Sequence, residues 1–272
     1  MGFSVNTNVG AMAALQSLND TNRSLATTQS RINSGKNVSS TKDDSGTFAI
    51  AQKLRGDLGG LSGVNSSLNR AKSTVDVAVA GAEQISDLMN KMKAKAVEAS
   101  DEGLDAASLK ALAADFDGFK SQITTIIDSS AFNGTNLLKE DGGAVAALQS
   151  TTMSAAKLTV ANQDFTTIID DVGDVFTDAE EASDMVDTLD DQIKLVNGAM
   201  SKLGAASRKI EGQQVFIGKL VDVIEGGVSN LVDADLAKES AKLQALQVKQ
   251  QLGVQALSIA NQAPQTIISL FR

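Results

Sequence analysis

The 272-residue chain contains no Cys, His, Trp or Tyr and a single Pro, and aromatic residues make up 3% of it. Each absence removes a class of function. Without Cys or His there is no disulfide, no Cys/His zinc site, no thiol nucleophile and no triad with an imidazole base. So few aromatic rings leave no stacking platform for single-stranded nucleic acid. A net charge of −9, from 24 basic and 33 acidic residues, has the wrong sign for coating a phosphate backbone. A chain without Cys fits either redox compartment. The longest uncharged run, 250–271, is too polar for a bilayer, because it carries Gln250, Gln251, Gln255, Ser258, Asn261, Gln262 and Gln265. The N-terminal residues have no basic n-region and no continuous apolar h-region, so no cleaved secretory signal is expected. The length suits one large domain or two modest ones.

What the chain does have is apolar residues recurring at alternating steps of three and four, the seam pattern of helices packed nearly parallel. One run is Ala182, Val186, Leu189, Ile193, Val196, Met200, Leu203, Ser207, Ile210, Gln214, Ile217, Val221, Ile224, Val228 and Leu231. As one helix it spans about 75 Å at roughly 1.5 Å per residue. A second run is Leu54, Leu58, Leu61, Asn65, Leu68, Lys72, Val75, Val79, Ala82, Ser86 and Met89, and a third is Leu109, Leu112, Phe116, Phe119, Ile123 and Ile126. These predict a mainly α fold, a long antiparallel helical bundle or coiled coil. Gly198, Gly204, Gly212 and Gly218 each cost the long helix about 1 kcal/mol against Ala, so packing must hold it.

Residues 130–178 predict a small β-hairpin region instead, from the Asn133-Gly134 turn signal, the Asp141-Gly-Gly143 loop and the strand candidate Lys157-Leu-Thr-Val160. From Glu140 to Asp191 there are 13 acidic residues and one basic residue, a local charge of −12, which leaves +3 for the remainder of the −9 chain. Two readings fit: the middle faces water while the rest faces something else, or the acidic loops merely keep the protein soluble.

Both ends are unusual. No charge precedes Asp20, and none lies between Lys249 and Arg272. Near the N-terminus Ala11, Leu15, Leu18, Asn22, Leu25, Gln29 and Ile32 keep the three-four spacing. The C-terminal helix has two apolar faces, one of Leu236, Leu243, Leu246, Val254 and Leu257, the other of Ala241, Ala245, Val248, Leu252, Ala256 and Ile259. Two faces imply several neighbours, which points to a terminal pair packing against other copies of the chain.

Motifs for chemistry fail on spacing. Gly212 to Lys219 has five residues rather than four between its glycines and Leu220 where a phosphate loop needs Ser or Thr, and Asp170-Asp-Val-Gly-Asp174 has its glycine misplaced for a calcium loop. Asp43-Asp44 and Asp190-Asp191 read as caps and solvated surface rather than acid/base pairs. No catalytic residue, metal ligand or cofactor site is expected.

Several longer motifs remain: Ser4-Val-Asn-Thr-Asn8, Arg31-Ile-Asn-Ser-Gly-Lys-Asn-Val-Ser-Ser-Thr-Lys-Asp-Asp44, Phe132-Asn-Gly134 with Leu137-Leu138, Asp233-Ala-Asp-Leu-Ala-Lys-Glu239, and Gln251-Leu-Gly-Val-Gln-Ala-Leu-Ser-Ile-Ala-Asn-Gln-Ala-Pro-Gln-Thr-Ile-Ile-Ser-Leu270. In these the chain resembles bacterial flagellin, the flagellar filament subunit, over residues 3–138 and 180–272, and its Asp233–Lys242 stretch resembles the alphaproteobacterial branch. The resemblance implies that 1–46 and 227–272 form an inner terminal helix pair with a spoke, and that 47–226 form a rod-like middle domain with a hairpin region near 130–178. It implies a self-assembly core of Leu15, Leu18, Leu25, Ile32, Leu243, Leu246, Leu252, Val254, Leu257, Ile259, Leu270 and Phe271. Arg31, Gly35, Lys42, Asp43 and Asp44 would form the spoke, and Ser45-Gly-Thr-Phe48 departs from the usual Ala-rich pattern there. It further implies a homopolymer with other flagellin copies, an export chaperone, hook-junction and filament cap proteins as partners, and type III export without cleavage. O-glycosylation would fall on Ser150, Thr151, Thr152, Ser154, Thr166 and Thr167, or these are a plain polar loop. The alternatives in sequence are another type III secreted helical bundle and a coiled-coil stalk.

Overall fold

The computed structural model describes residues 7–152 and 156–269, with side chains as far as 262. The fold is mainly α. In chain order the elements are α1 (Val9–Ser34), α2 (Ser45–Ala99), α3 (Ala106–Ser129), β1 (Ala131–Phe132), β2 (Thr135–Asn136), β3 (Val145–Ala147), β4 (Leu158–Val160), α4 (Phe165–Asp170), α5 (Ala179–Val232) and α6 (Leu236–Ser269). Contacts divide them into two units, one of Met1–Gly56 with Val223–Arg272 and one of Asp57–Asp222.

Acids and amides start the helices. A side-chain oxygen accepts from backbone N–H groups of the first turn at Asn8 for α1, Asp44 for α2, Asp105 for α3, Asp164 for α4, Asp178 for α5 and Asp235 for α6. Such caps satisfy donors that the first turn leaves orphaned. The α5 start adds a reciprocal bond, from Thr177 N–H to Glu181 Oε2 at 2.7 Å. Much of the chain's acidity therefore has a local, structural use.

In the Asp57–Asp222 unit, α2 and α5 run antiparallel. Asn69 meets Gln214, Lys72 meets Glu211, Asp76 meets Ser207 and Lys93 meets Asp190, so every step up α2 is matched by an equal step down α5. On α5 every second member of the expected seam is buried, Ala182, Leu189, Val196, Leu203, Ile210 and Ile217, one per heptad, with Val228 beyond; Val186, Ile193, Met200, Ser207, Gln214, Val221 and Ile224 are half-buried, and Leu231 is exposed. On α2 the expectation needs correcting. Leu61, Leu68, Val75, Ala82 and Met89 are buried as predicted, but their partners are Val64, Ala71, Ala78, Ile85 and Met92 rather than Asn65, Lys72, Val79 and Ser86. The buried stripe turns that way because α2 is covered on a second side. Lys95 ion-pairs with Asp115 of α3, Ser67 Oγ accepts from Leu148 N–H, and a Cβ on Gly81 would lie 2.9 Å from Leu138 Cδ1.

The 130–178 region holds two small sheets rather than one hairpin. In the first, β1 and β2 pair through Phe132 and Thr135 around Asn133 and Gly134, both with positive φ, as a two-residue turn that matches strand twist requires. In the second, β3 and β4 pair through Val145 and Val160. Buried Asn136 ties the region to α3: its Nδ2 donates to Ile127 O at 2.6 Å and its Oδ1 accepts from Leu138 N–H. Gly212 to Lys219 lies wholly within α5, so no phosphate loop forms.

Phe116 is fully buried on α3, its ring edge-on to Phe176 with centroids 5.4 Å apart. Phe116→Ala should lower stability by about 3–5 kcal/mol through the cavity it leaves, read by urea unfolding of the unpolymerised chain. Phe216→Ala, at a ring that is 56% exposed, should change it by less than about 0.5 kcal/mol.

Candidate assembly interface

The other unit is built on α1 and α6, which lie antiparallel. Asn8 Nδ2 donates to Ala260 O at 2.7 Å, Gln250 Nε2 to Asn22 Oδ1 at 2.7 Å, and Arg31 Nη1 lies 3.3 Å from Glu239 Oε1. Between these ties the less exposed positions alternate by three and four. On α1 they are Ala11, Ala14, Leu18, Thr21, Leu25 and Thr28, and on α6 Leu243, Leu246, Gln250, Gly253, Leu257 and Ala260. The seam expected on α1 is corrected by one residue at three places: Ala14, Thr21 and Thr28 face α6, whereas Leu15, Asn22 and Gln29 are exposed. Both choices keep the spacing, and small side chains let the helices approach. A Cβ added to Gly253 would lie 3.2 Å from Leu18 Cδ1.

Among the described residues no apolar side chain of α1 or α6 is buried; the buried ones are Thr21, Thr28 and Glu239. Leu18, Leu25, Ile32, Leu243, Leu246 and Leu257 are half-buried in or beside the seam. Leu15, Leu252, Val254 and Ile259 are exposed, as are Val9, Met12, Leu236 and Val248, over a range from 48% at Leu15 to 73% at Val9. Leu236 and Val254 thus stand outside the face assigned to them with Leu243. Leu270 and Phe271 lie outside the described residues. Burying a large apolar side chain stabilises by roughly 1.5–3 kcal/mol, and the pair realises only part of that in one copy.

The residues assigned to a spoke lie along the end of α1 and the loop to α2. Gly35 closes the helix in the left-handed region at φ 68°, and its carbonyl accepts from Ala234 N–H at 2.9 Å. Asn37 and Val38 N–H both donate to Val232 O, at 2.8 and 3.2 Å. Val38 then packs with Ala51, Val228 and Val232, and Phe48, the departure noted in sequence, lies against this cluster. Asp43 Oδ2 accepts from the N–H and Oγ of both Ser39 and Ser40, closing the loop before α2. Lys42 is exposed.

The bond from the Ser39 hydroxyl, then those from the Ser39 and Ser40 amides, hold the Asp43 carboxyl below its ordinary value of 3.8. Asp44 is lowered likewise, by the Thr47 amide and then its hydroxyl. Sequence reasoning missed Glu239 as the partner of Arg31 and the buried Thr21 and Thr28; a polar residue recurring at seam spacing was the available signal. Thr28 Oγ1, Arg31 Nε and Glu239 Oε2 are buried without hydrogen-bond partners.

The candidate glycosylation residues do not form one patch. Thr151 and Thr152 are exposed and Ser150 is half-buried, while Thr166 Oγ1 accepts from Glu140 N–H and Thr167 Oγ1 donates to Asp164 Oδ2. Ser154 lies outside the described residues. Among the described residues no acidic cluster is arranged to hold a metal ion, and no helix is long and apolar enough to cross a membrane.

Comparison with known proteins agrees with this geometry. The bacterial flagellin N-terminal helical region matches residues 5–142, and the bacterial flagellin C-terminal helical region matches 186–271. The chain is 44% identical to flagellin FljM of Caulobacter vibrioides, over 99% of this chain and 98% of that one. It is 33% identical to flagellin C of Rhizobium meliloti, over 99% of both. A solved structure titled as a flagellar hook-associated protein from Vibrio parahaemolyticus shares the fold alone, at a TM-score of 0.57 and 11% identity, covering 70% of this chain and all of that one.

Asp43→Ala should open the loop before α2, seen as faster hydrogen exchange at the Ser39 and Ser40 amides with the far-UV circular dichroism unchanged. Because the folded carboxyl titrates below the unfolded one, its contribution is complete above the ordinary carboxylate range and is lost only as pH falls through the lowered value. Protection of the two amides should therefore persist at pH 5 in the intact chain.

Proposed function

The chain belongs to the bacterial flagellin family and is a structural subunit of the extracellular flagellar filament, and from that premise we propose that its terminal helix pair is the part that polymerises. In this reading residues 1–46 and 227–272 form the inner pair with its spoke, and 47–226 the middle domain. What supports it is one observation: no apolar side chain on α1 or α6 is buried in a single copy, among the described residues. Leu18, Leu25, Ile32, Leu243, Leu246 and Leu257 hold the two helices to each other, while Leu15, Leu252, Val254 and Ile259 wait for neighbouring copies; Leu270 and Phe271, outside the described residues, are assigned to the same self-assembly core. Nothing favours a needle subunit or a coiled-coil stalk.

The finer features belong to the same proposal. Folding of the ends is coupled to addition at the growing tip, because a segment that cannot bury enough apolar surface stays disordered until a partner supplies it. The contacts between copies are heterologous and head-to-tail, which gives an open helix when the rotation does not close. Export follows the flagellar type III route without cleavage, with an export chaperone, hook-junction proteins and a filament cap as partners. Thr151 and Thr152 are the favoured O-glycosylation sites within the group that includes Ser150, Ser154, Thr166 and Thr167; an intact filament mass equal to the bare polypeptide would remove them.

Deleting residues 250–272 should leave the Asp57–Asp222 unit helical and abolish polymerisation. Leu257→Asp should do the same by setting an unpaired carboxylate in the seam. Sedimentation and circular dichroism beside the intact chain, under filament-forming conditions, test both. Pelleting filaments from either variant would refute the proposal.

A further inference from the structure

Two features of the Asp57–Asp222 unit have no counterpart in a single copy. The first is on α5. Val215 and Phe216 are 59% and 56% exposed, and helical spacing places them on one face with Arg208, Lys209, Gly212 and Lys219, all exposed. Of the nearby acids, Glu211 is paired with Lys72 of α2, and exposed Asp222 stands on the same face one turn beyond Lys219. Nothing beyond the helix's own backbone lies within 4 Å of where Gly212 would carry a Cβ, so no described segment covers this face there. Three cations around an exposed phenyl ring stand out in a chain of net charge −9.

The second feature lies beyond the other end of the same helix. A groove of about 400 Å³ runs between α3 and the segment leading into α5, lined by Leu109, Lys110 and Ala113 on one wall and Val175, Phe176 and Thr177 on the other. Exposed Asp174 and Asp178 bracket the second wall, within the 140–191 stretch whose charge is −12. Two cations of α3 stand near these acids, Lys110 on the first wall and Lys120, whose Nζ donates to the Gly173 carbonyl beside Asp174.

We infer that the Val215–Phe216 face of one copy docks in the Val175–Phe176 groove of the next, an apolar knob with a basic rim entering an apolar groove with an acidic rim. The occupant is a second copy of this chain, and the inference rests on the filament-subunit reading. Knob and groove of one copy cannot meet: about 37 residues of unbroken helix separate Ala179 from Phe216, roughly 55 Å at 1.5 Å per residue. The contact therefore joins unlike surfaces and repeats from copy to copy, the arrangement that builds an open line. A buried aromatic anchor with complementary charge at the rim is how such patches gain both affinity and orientation.

The absence of Cys makes a direct test available. Phe216→Cys with Thr177→Cys in the full chain should give, after oxidation of filaments, a ladder of covalent oligomers that reductant dissolves. Either single variant should give none, and the unpolymerised double variant should give no internal crosslink. Filaments without a ladder overturn the inference. Independently, Lys209→Glu with Lys219→Glu should raise the protein concentration needed for filament growth about tenfold. Asp174→Lys, which spares the Asp178 cap of α5, should do likewise, and mixing the two variant proteins should restore growth to within about threefold of the intact chain. Unchanged growth from either charge variant, or no recovery on mixing, overturns it. Circular dichroism of each unpolymerised variant should match the intact chain, because the altered side chains are exposed. These failures leave the filament reading standing; failure of the intact chain to polymerise removes both.

Discussion

Apolar side chains at both ends of the chain find too little cover in one copy, and much of the architecture follows from that shortage. The α1–α6 seam uses small or polar residues, Ala11, Ala14, Thr21, Thr28 and Gly253, which bring two helices close without burying a Leu completely. Large side chains such as Leu252, Val254 and Ile259 stay outside it. A seam with larger inward residues would stabilise the isolated pair and leave less apolar surface for neighbours. In the proposed assembly, the free energy of polymerisation is held in reserve by the choice of which side chains face inward.

That choice needs the terminal pair to be held in position by something other than apolar packing, and polar contacts supply it. Arg31 with Glu239, Asn22 with Gln250 and Asn8 with the Ala260 carbonyl set the register of α1 on α6. Gly35, Val38 and Val232 join the two chain segments by backbone hydrogen bonds where α1 ends and α6 has yet to begin. Apolar heptads tolerate a slip of seven residues; an ion pair and a carbonyl at a fixed level do not. Partly buried Arg31 and Glu239, each with one polar atom that makes no hydrogen bond, contribute specificity of alignment more than net stability.

The Asp57–Asp222 unit does the opposite and buries its core within one copy. Its α5 seam places one fully covered side chain in every heptad from Ala182 to Ile217, and α2 carries a double stripe because other elements cover its second side. Polar rungs such as Lys72 with Glu211 and Asn69 with Gln214 flank that core and set its register. This packing carries Gly198, Gly204, Gly212 and Gly218 within an unbroken helix, at about 1 kcal/mol each.

Composition and periodicity by themselves determined the mainly α class, the three long helices with seam spacing and the turn at Asn133-Gly134, because each is encoded in the spacing of neighbouring residues along one chain segment. Motif content also carried the family. The tertiary structure alone decided which of two equally spaced seams is buried. Ala14, Thr21 and Thr28 prevail over Leu15, Asn22 and Gln29, and Val64, Ala71 and Ala78 over Asn65, Lys72 and Val79, because a helix turns toward whatever packs on it and its own sequence does not contain its neighbours. Glu239 became the partner of Arg31 for the same reason: two residues some two hundred positions apart meet only once an antiparallel register has been set.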